Sequence, residues 1–250
     1  MTERLKIITD LVSPGRGVID VGTDHGAVPV ELALRGYPGT IIASDIHAGP
    51  LSAAERLAEE QGVSERIRFM IADGLSGCGS ADVDTVVIAG MGGDLICSII
   101  DAAEWLCRPG MHLILQPMTK AEILRYYLVN NGFAIIEEKT VRENGRLFQI
   151  FTTEYFGVYL KRIRKDASGG NARDPYSDAE LFTGRFRLLK DQPEFRNEIL
   201  GALKSMEKKL TGIERSGIRK ENVTEYRFCS EILRELREMR NRYDNLQRDL

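Results

Sequence analysis

The sequence has little of what disulfides, zinc centres and membrane spans require. It holds four cysteines and three histidines in 250 residues, and no two cysteines form a Cys-x-x-Cys pair. Zinc sites need closely spaced Cys and His ligands, so we expect no metal. Scattered cysteines are typical of reduced thiols, and no apolar run reaches the ~18 residues of a membrane span. With an N-terminus that lacks a signal-peptide stretch, these features predict a cytoplasmic protein without a membrane anchor.

Charge is divided unevenly along the chain. The net charge is −3, and the 43% hydrophobic and 28% charged residues allow a packed core. Residues 1–150 hold 13 Lys and Arg against 20 Asp and Glu, a net −7, which leaves +4 for residues 151–250. A basic C-terminal part is typical of a protein that meets a polyanion, and a solvated helical surface is the alternative.

Strand and helix patterns alternate in the first part of the chain. Asn-Gly within residues 143–145 then predicts a β-hairpin, and Thr119 with Glu122 has the spacing of a capping box. The alternation predicts an α/β fold with a doubly wound, Rossmann-like parallel sheet. The predicted strands are 17–21, 40–46, 67–74, 84–90 and 111–117, and the predicted helices are 3–12, 27–36, 50–61, 93–106 and 119–131.

The composition changes near residue 161. Residues 161–175 have no apolar period and predict a linker, after which Ser177 and Glu180 have the spacing of a second capping box. Two stripes of apolar residues, three or four apart, predict an antiparallel helical coiled-coil hairpin. The stripes are Phe195, Ile199, Leu203, Met206, Leu210 and Ile213, then Ile232, Leu236, Met239, Tyr243, Leu246 and Leu250. We therefore divide the chain into domains 1–160 and 161–250.

The loops that follow the first four strands are candidates for a ligand site, because open parallel sheets bind ligands at the carboxyl ends of their strands. The dinucleotide fingerprint is Gly-x-Gly-x-x-Gly. The first loop lacks its middle glycine, because Asp24 stands two positions after Gly22. A carboxylate repels a diphosphate but attracts the sulfonium and ammonium of S-adenosylmethionine (SAM). The loops are Asp20–Gly26, Ser44–Ile46, Ala72–Gly74 and Gly90–Gly93.

Each of these residues also has a plainer structural interpretation. Asp20 could cap the turn that follows it, and Asp45 and Asp73 could be ordinary acids at strand ends. Gly22 and the other loop glycines could serve only a positive φ. His25 could be a structural histidine, and the Gly90–Gly93 turn could bind an anion at a helix start.

Together these segments resemble one family. DVGTDH, Ser44-Asp45-Ile46, ADG, IAGMGG and ILQP, followed by the Glu-Asn-Gly hairpin, resemble the bacterial tRNA adenine-22 N1-methyltransferases. The resemblance covers residues 1 to about 155 in order and spacing. It implies a class I methyltransferase sheet with a helical C-terminal extension, SAM as the cofactor, and methylation of N1 of adenine 22 in tRNA. The chain differs from the family pattern at Ala27 and Met118, where an aromatic residue and Asn are common.

The resemblance also implies cofactor-binding and acceptor-side residues, and the mechanism of methyl transfer suggests two catalytic ones. Asp24 and His25 are the candidate catalytic residues: Asp24 would stabilise the positive charge that develops on the base, and His25 would take a proton from its exocyclic amine. The predicted cofactor-binding residues are Asp20, Gly22, Asp24, His25, Asp45, Ile46, Asp73, Gly74, Gly90 and Met91. Gly92, Gly93, Gln116 and Pro117 are predicted to border the acceptor base.

The predicted partner is tRNA, met by basic residues outside the first domain. Arg215, Arg219 and Lys220 near the hairpin tip, with the Lys161–Lys165 cluster, would contact phosphates. We expect a monomer or weak homo-oligomer. A SAM-dependent small-molecule methyltransferase and a non-catalytic RNA-binding protein of the same fold remain alternatives, whereas Asp24 disfavours an NAD oxidoreductase.

Overall fold

The structure is a computed structural model that describes residues 1–157, 176–216 and 223–248. The chain divides into two compact units, Met1–Ala172 and Arg173–Leu250. The predicted domain boundary between residues 160 and 161 lies outside the described residues, as does the Lys161–Lys165 cluster.

The first unit is a seven-stranded sheet with helices between its parallel strands. The strand order is β3-β2-β1-β4-β5-β7-β6, in which β1 to β5 are parallel and β7 is antiparallel to both of its neighbours. The predicted α/β class with a Rossmann-like sheet is confirmed. The elements are α1 (Glu3–Leu11), β1 (Gly17–Val21), α2 (Ala27–Leu34), β2 (Thr40–Asp45), α3 (Ala48–Glu60), β3 (Ile67–Ile71), β4 (Thr85–Gly92), α4 (Gly93–Asp101), β5 (His112–Thr119), α5 (Ala121–Asn130), β6 (Phe133–Glu143) and β7 (Arg146–Tyr155).

The central strands are mostly apolar and buried because helices cover both faces of the sheet. Ile19 in β1, Ile42 in β2 and Val87 in β4 are fully buried, and every residue of β1 is buried. Because these buried strands are parallel and adjacent, the loops that follow them begin at the same edge of the sheet.

The turn between β6 and β7 forms as the Asn-Gly dipeptide predicts. Asn144 and Gly145 have φ of 51° and 77°, and Glu143 pairs directly with Arg146. Positive φ at both central residues matches the twist of a two-residue hairpin.

The start of α5 differs from the prediction. Thr119 ends β5, and the N-cap of α5 is Lys120, which has a φ of 58° and makes no side-chain cap hydrogen bond. The predicted capping box of Thr119 and Glu122 is therefore wrong. The physical reason is tertiary: Lys120 forms an ion pair with Asp94 at 2.6 Å, and its carbonyl packs against Gly93.

The second unit consists of helices with one shared apolar core. The ion pairs Arg196–Asp244 (2.8 Å) and Lys209–Glu225 (3.0 Å) show that its two long helices run antiparallel, as predicted. The capping box that begins at Ser177 is confirmed. The helices are α6 (Asp178–Thr183), α7 (Phe186–Leu189), α8 (Phe195–Arg215) and α9 (Val223–Leu246).

The apolar stripe of α8 is buried throughout, and that of α9 is buried up to Tyr243. Leu246 is 41% exposed, so its predicted place in the stripe is wrong. Because Asp244 already pairs with the second residue of α8, Leu246 lies beyond the packed length of the helix pair. Leu250 lies outside the described residues, and coiled-coil packing in the strict sense stays a prediction.

Candidate active site

The loop after β1 alternates positive and ordinary φ angles. Gly22, Asp24 and Gly26 have φ of 70°, 53° and 72°. The backbone N–H groups of Gly22 and Thr23 both donate to the carbonyl of Ser44, at 2.8 and 2.9 Å, and so join this loop to the end of β2. Glycine suits position 22 because of its positive φ, and the methyl group of Met91 lies where a Cβ would be, at 2.3 Å.

Asp20 is a buried carboxylate at the end of this strand. Its side chain accepts a hydrogen bond from the Thr23 hydroxyl at 2.8 Å, and the residue is 6% exposed. Burial raises the pKa of Asp20 from 3.8 to about 6; the Thr23 hydrogen bond lowers this pKa, and the charge of Asp45 raises it further. Ionised Asp20 is therefore costly in the protein alone and would be stabilised by a nearby cation.

Asp45 connects the first two loops. One of its carboxylate oxygens accepts from the backbone N–H of His47 at 2.9 Å, and the other faces the N–H of Asp24 at 3.4 Å. The side chains of Asp24 and His25 are exposed, and Asp24 Oδ1 lies 3.6 Å from His25 Nε2. The structure thus brings the predicted acids of the first two loops together at one edge of the sheet.

The third loop lies on the outer side of the same edge. The Ala72 N–H donates to the Asp45 carbonyl at 3.0 Å, which places Asp73 directly after the β2–β3 ladder. Asp73 and Ile46 are exposed, and Gly74 has a φ of 57°. An exposed carboxylate beside an exposed apolar side chain suits a planar group that carries an amine.

The carboxyl ends of β4 and β5 form the opposite side of the edge. The predicted loop Gly90–Gly93 is not a loop in the structure, because β4 continues to Gly92 beside β5 and α4 begins at Gly93. Gly90 has a φ of 81°, and the β4–β5 register shifts on either side of Met91. A Cβ at Gly93 would lie 2.3 Å from the Lys120 carbonyl oxygen, so the start of α4 lies in close contact with the residue that joins β5 to α5. Pro117 and Gln116 are buried here, and the Gln116 Oε1 accepts from the Gly90 N–H at 3.3 Å.

Sequence reasoning missed three contributors to this edge. The Thr23 hydroxyl could have been found from its spacing, because it follows Asp20 by three residues in a turn. The Lys120–Asp94 ion pair joins residues 26 apart, and Arg4 reaches Gln116 across 112 positions of sequence. No local pattern signals contacts of that separation.

The predicted phosphate contacts lie in the second unit or outside the described residues. Arg215 is the last residue of α8 and is exposed. Arg219 and Lys220 lie outside the described residues.

The chemistry of this edge fits a cationic ligand better than a diphosphate. Asp20, Asp24, Asp45 and Asp73 lie at the carboxyl ends of three adjacent parallel strands. Such a set attracts an ammonium or sulfonium group and repels phosphate. In residues 1–157, 176–216 and 223–248, no group of three or more His, Cys, Asp or Glu could hold a metal, and no helix is long and apolar enough to cross a membrane.

The sheet order, the antiparallel β6–β7 pair and the acidic carboxyl edge define a class I methyltransferase. A family model described as a methyltransferase domain matches residues 1–151, and the chain belongs to this family.

The comparisons with individual proteins agree with the resemblance found in the sequence. The tRNA (adenine(22)-N(1))-methyltransferase of Bacillus subtilis is 30% identical over 154 residues, which cover 62% of this chain and 65% of that enzyme. The crystal structure of Streptococcus pneumoniae Sp1610 is 27% identical with a TM-score of 0.73, covering 96% of this chain and 99% of that one. Sp1610 has also been solved in complex with S-adenosyl-L-methionine.

The B. subtilis m1A22 tRNA methyltransferase TrmK has a crystal structure with a TM-score of 0.80, at 23% identity, covering 96% of this chain and 98% of that one. At that identity the likeness shows a shared fold. The sequence match to the B. subtilis enzyme confirms the resemblance to this family of enzymes, and it spans less than two thirds of that enzyme's length.

Proposed function

We propose that the protein is a SAM-dependent methyltransferase that methylates N1 of adenine 22 in tRNA. The observation that carries the proposal is the acidic carboxyl edge, with Asp20 buried and prone to protonation in the absence of a cation. The B. subtilis relative bears the name of this activity, and its match extends over 154 residues, or 62% of this chain.

The residues of the first three loops would hold the cofactor. Asp20, Gly22, Asp24 and His25 would surround the methionine end, where Asp20 would meet a positive group. Asp45 and Ile46 would take the ribose and one face of the adenine, and Asp73 and Gly74 its amine. Gly90 and Met91, in the last part of β4, would line the side of the cofactor next to that strand. When bound, SAM supplies an electrophilic methyl group on a sulfonium.

Asp24 is placed to act on the charge of the product. N1 of adenine already carries a lone pair, so the enzyme needs alignment more than a strong base. Methylation leaves the base cationic, and the exposed carboxylate of Asp24 would stabilise that charge. His25 Nε2, 3.6 Å from Asp24, would hold a proton released from the exocyclic amine.

The glycine-rich segment Gly90–Gly93, at the end of β4 and the start of α4, would form the acceptor side. Gly92 and Gly93 present no side chains, and in the neighbouring strand β5 Gln116 pairs with Ala89 and Pro117 with Met91. N1 is on the pairing edge of adenine, so the base must be unpaired or flipped out to reach this side.

Phosphate contacts would come from the basic residues Arg215, Arg219 and Lys220 and from the Lys161–Lys165 cluster. Replacing the first three by Ala should weaken tRNA binding and flatten its dependence on salt, since each lost phosphate contact reduces counterion release. Unchanged binding at every salt concentration would remove them from the proposal. We further propose that the protein acts in the cytoplasm as a monomer or weak homo-oligomer.

The decisive experiment combines the protein with methyl-labelled SAM and unmodified bulk tRNA, followed by mapping of the labelled nucleoside. Label in 1-methyladenosine at position 22 is the expected result. Label on free adenosine or another metabolite, without label on tRNA, would identify a small-molecule methyltransferase. SAM that fails to bind, with tRNA still bound, would identify a non-catalytic RNA-binding protein.

A further inference from the structure

Gln116 is a buried amide whose side chain is held on all sides by the protein. It is 0% exposed. Its Oε1 accepts from the Gly90 N–H at 3.3 Å and from Arg4 Nη1 at 2.5 Å. Its Nε2 donates to the Pro117 carbonyl at 2.8 Å and faces the Met118 sulfur at 3.7 Å. An amide so engaged has no donor or acceptor left for a substrate base.

The bond to Gly90 compensates for an irregularity in the sheet. The β4–β5 pairing changes register between Ala89 and Met91, so the peptide of Gly90 is skipped by the ladder. A bulge leaves its extra residue without a strand partner. The Gln116 side chain supplies the missing acceptor and so holds the first peptide of the glycine-rich segment.

Arg4 fixes which way the Gln116 amide points. Arginine carries only donors, so an oxygen must face it, and the Gly90 N–H demands the same oxygen. The Arg4 guanidinium lies 5.1 Å from the centre of the Phe148 ring, which holds it in place. Arg4 is half-buried and its Nε finds no hydrogen-bond partner among the described residues, so the Gln116 contact is a main source of compensation for this cation.

We propose that Arg4, in the N-terminal helix α1, is a positioning residue for the glycine-rich segment. It orients Gln116, and Gln116 in turn fixes the Gly90 peptide at the start of Gly90–Gly93. Gln116 is accordingly a second positioning residue and does not contact the base. The expected effect on kcat rests on the proposed function. The structural claim, that Arg4 and Gln116 hold the Gly90 peptide in place, does not depend on that function.

The test uses the full chain with Arg4→Met, Gln116→Met and the double variant. Arg35→Met is the matched control, because Arg35 also anchors α1, through Asp10 at 2.5 Å, but does not reach the glycine-rich segment. Three quantities are compared: hydrogen exchange of the Gly90 amide by NMR, the Kd for SAM, and kcat for tRNA methylation.

In Arg4→Met the Gly90 amide should exchange on the order of tenfold faster and kcat should fall by a similar factor, with the Kd for SAM unchanged. Because Arg4 acts through Gln116, Arg4→Met should have no further effect in the Gln116→Met background. Arg4→Lys, which keeps a donor and the charge, should restore part of both losses. Arg35→Met should leave the Gly90 exchange and kcat at their original values.

Unchanged Gly90 exchange in Arg4→Met, independent effects of the two variants, or an equal response in Arg35→Met would overturn the proposal. If Arg4→Met does not fold, the Gly90 exchange and kcat of Arg4→Lys are compared with those of the original chain and of Arg35→Met instead. If the original chain labels no tRNA, the proposed function fails, and the Gly90 exchange still decides whether Arg4 holds the glycine-rich segment.

Discussion

Asp20 should make the stability of the first unit fall as pH rises. Its pKa is raised from 3.8 to about 6 by burial, so the folded chain holds this proton more tightly than the unfolded chain. Between these two values the folded state binds more protons, and stability is therefore lost as pH rises through that window. An upward pKa change of about two corresponds to about 3 kcal/mol, lost in full above pH 7.

The perturbation is Asp20→Asn, which keeps the shape and the acceptor for the Thr23 hydroxyl but cannot ionise. The free energy of unfolding of the variant minus that of the original chain should rise by about 2.5 kcal/mol from pH 4 to pH 8, because pH 4 already lies slightly above the unfolded pKa. Urea titrations followed by Trp105 fluorescence measure it, because Trp105 is the sole tryptophan and lies in the first unit.

The same carboxylate should couple cofactor binding to pH. A cation bound beside Asp20 favours its ionised form, so the affinity for SAM should increase as pH rises through about 6. Calorimetric titrations should show this increase in the original chain and not in Asp20→Asn. A stability difference that does not vary with pH would refute the assignment of a raised pKa, and a pH-independent affinity would refute contact with the cation.

Three further predictions concern stability. Gly93→Ala should destabilise the first unit by about 1–3 kcal/mol, because the new Cβ would lie 2.3 Å from the Lys120 carbonyl oxygen. Asp24→Gly should stabilise it by about 1 kcal/mol, since Asp24 has a φ of 53°, and should slow methyl transfer. Glu138→Ala should cost about 3–5 kcal/mol, because it leaves the fully buried Arg125 without the carboxylate 3.1 Å away. The three stability changes are measured by urea titration with Trp105 fluorescence, and the methyl-transfer rate of Asp24→Gly by the transfer of label from SAM to tRNA.

Matched controls separate these effects from general damage. Gly49→Ala places a Cβ in α3 with nothing within 4 Å and should be neutral or stabilising. Asp24→Asn keeps a residue that tolerates positive φ and should leave stability unchanged. Glu137→Ala removes only an exposed ion pair with Lys139 and should cost under about 1 kcal/mol. If a control variant changes the free energy of unfolding as much as the variant it is paired with, the reasoning for that pair is wrong.

Local patterns were reliable where the local chain decides the structure. The Asn-Gly turn and the capping box at Ser177 formed as predicted, because each depends on φ preferences or hydrogen bonds within four residues. The Thr119 capping box did not form, because Lys120 is held by Asp94 and Gly93 at the start of α4. Leu246 continues the apolar period of α9, but it is 41% exposed. The antiparallel helix α8 begins at Phe195, and Leu246 lies beyond that end of it.

The amino-acid sequence by itself determined the alternation of strands and helices, the acids that follow the first three strands, and the family that these segments resemble. Apolar period and turn chemistry act over a few residues, so they can be recognised without the fold. Only the tertiary structure decided that Asp20 is buried with a raised pKa and that Gln116 is held by Arg4. Burial and long-range hydrogen bonds depend on which distant segments the sheet brings together, and no local pattern carries that information.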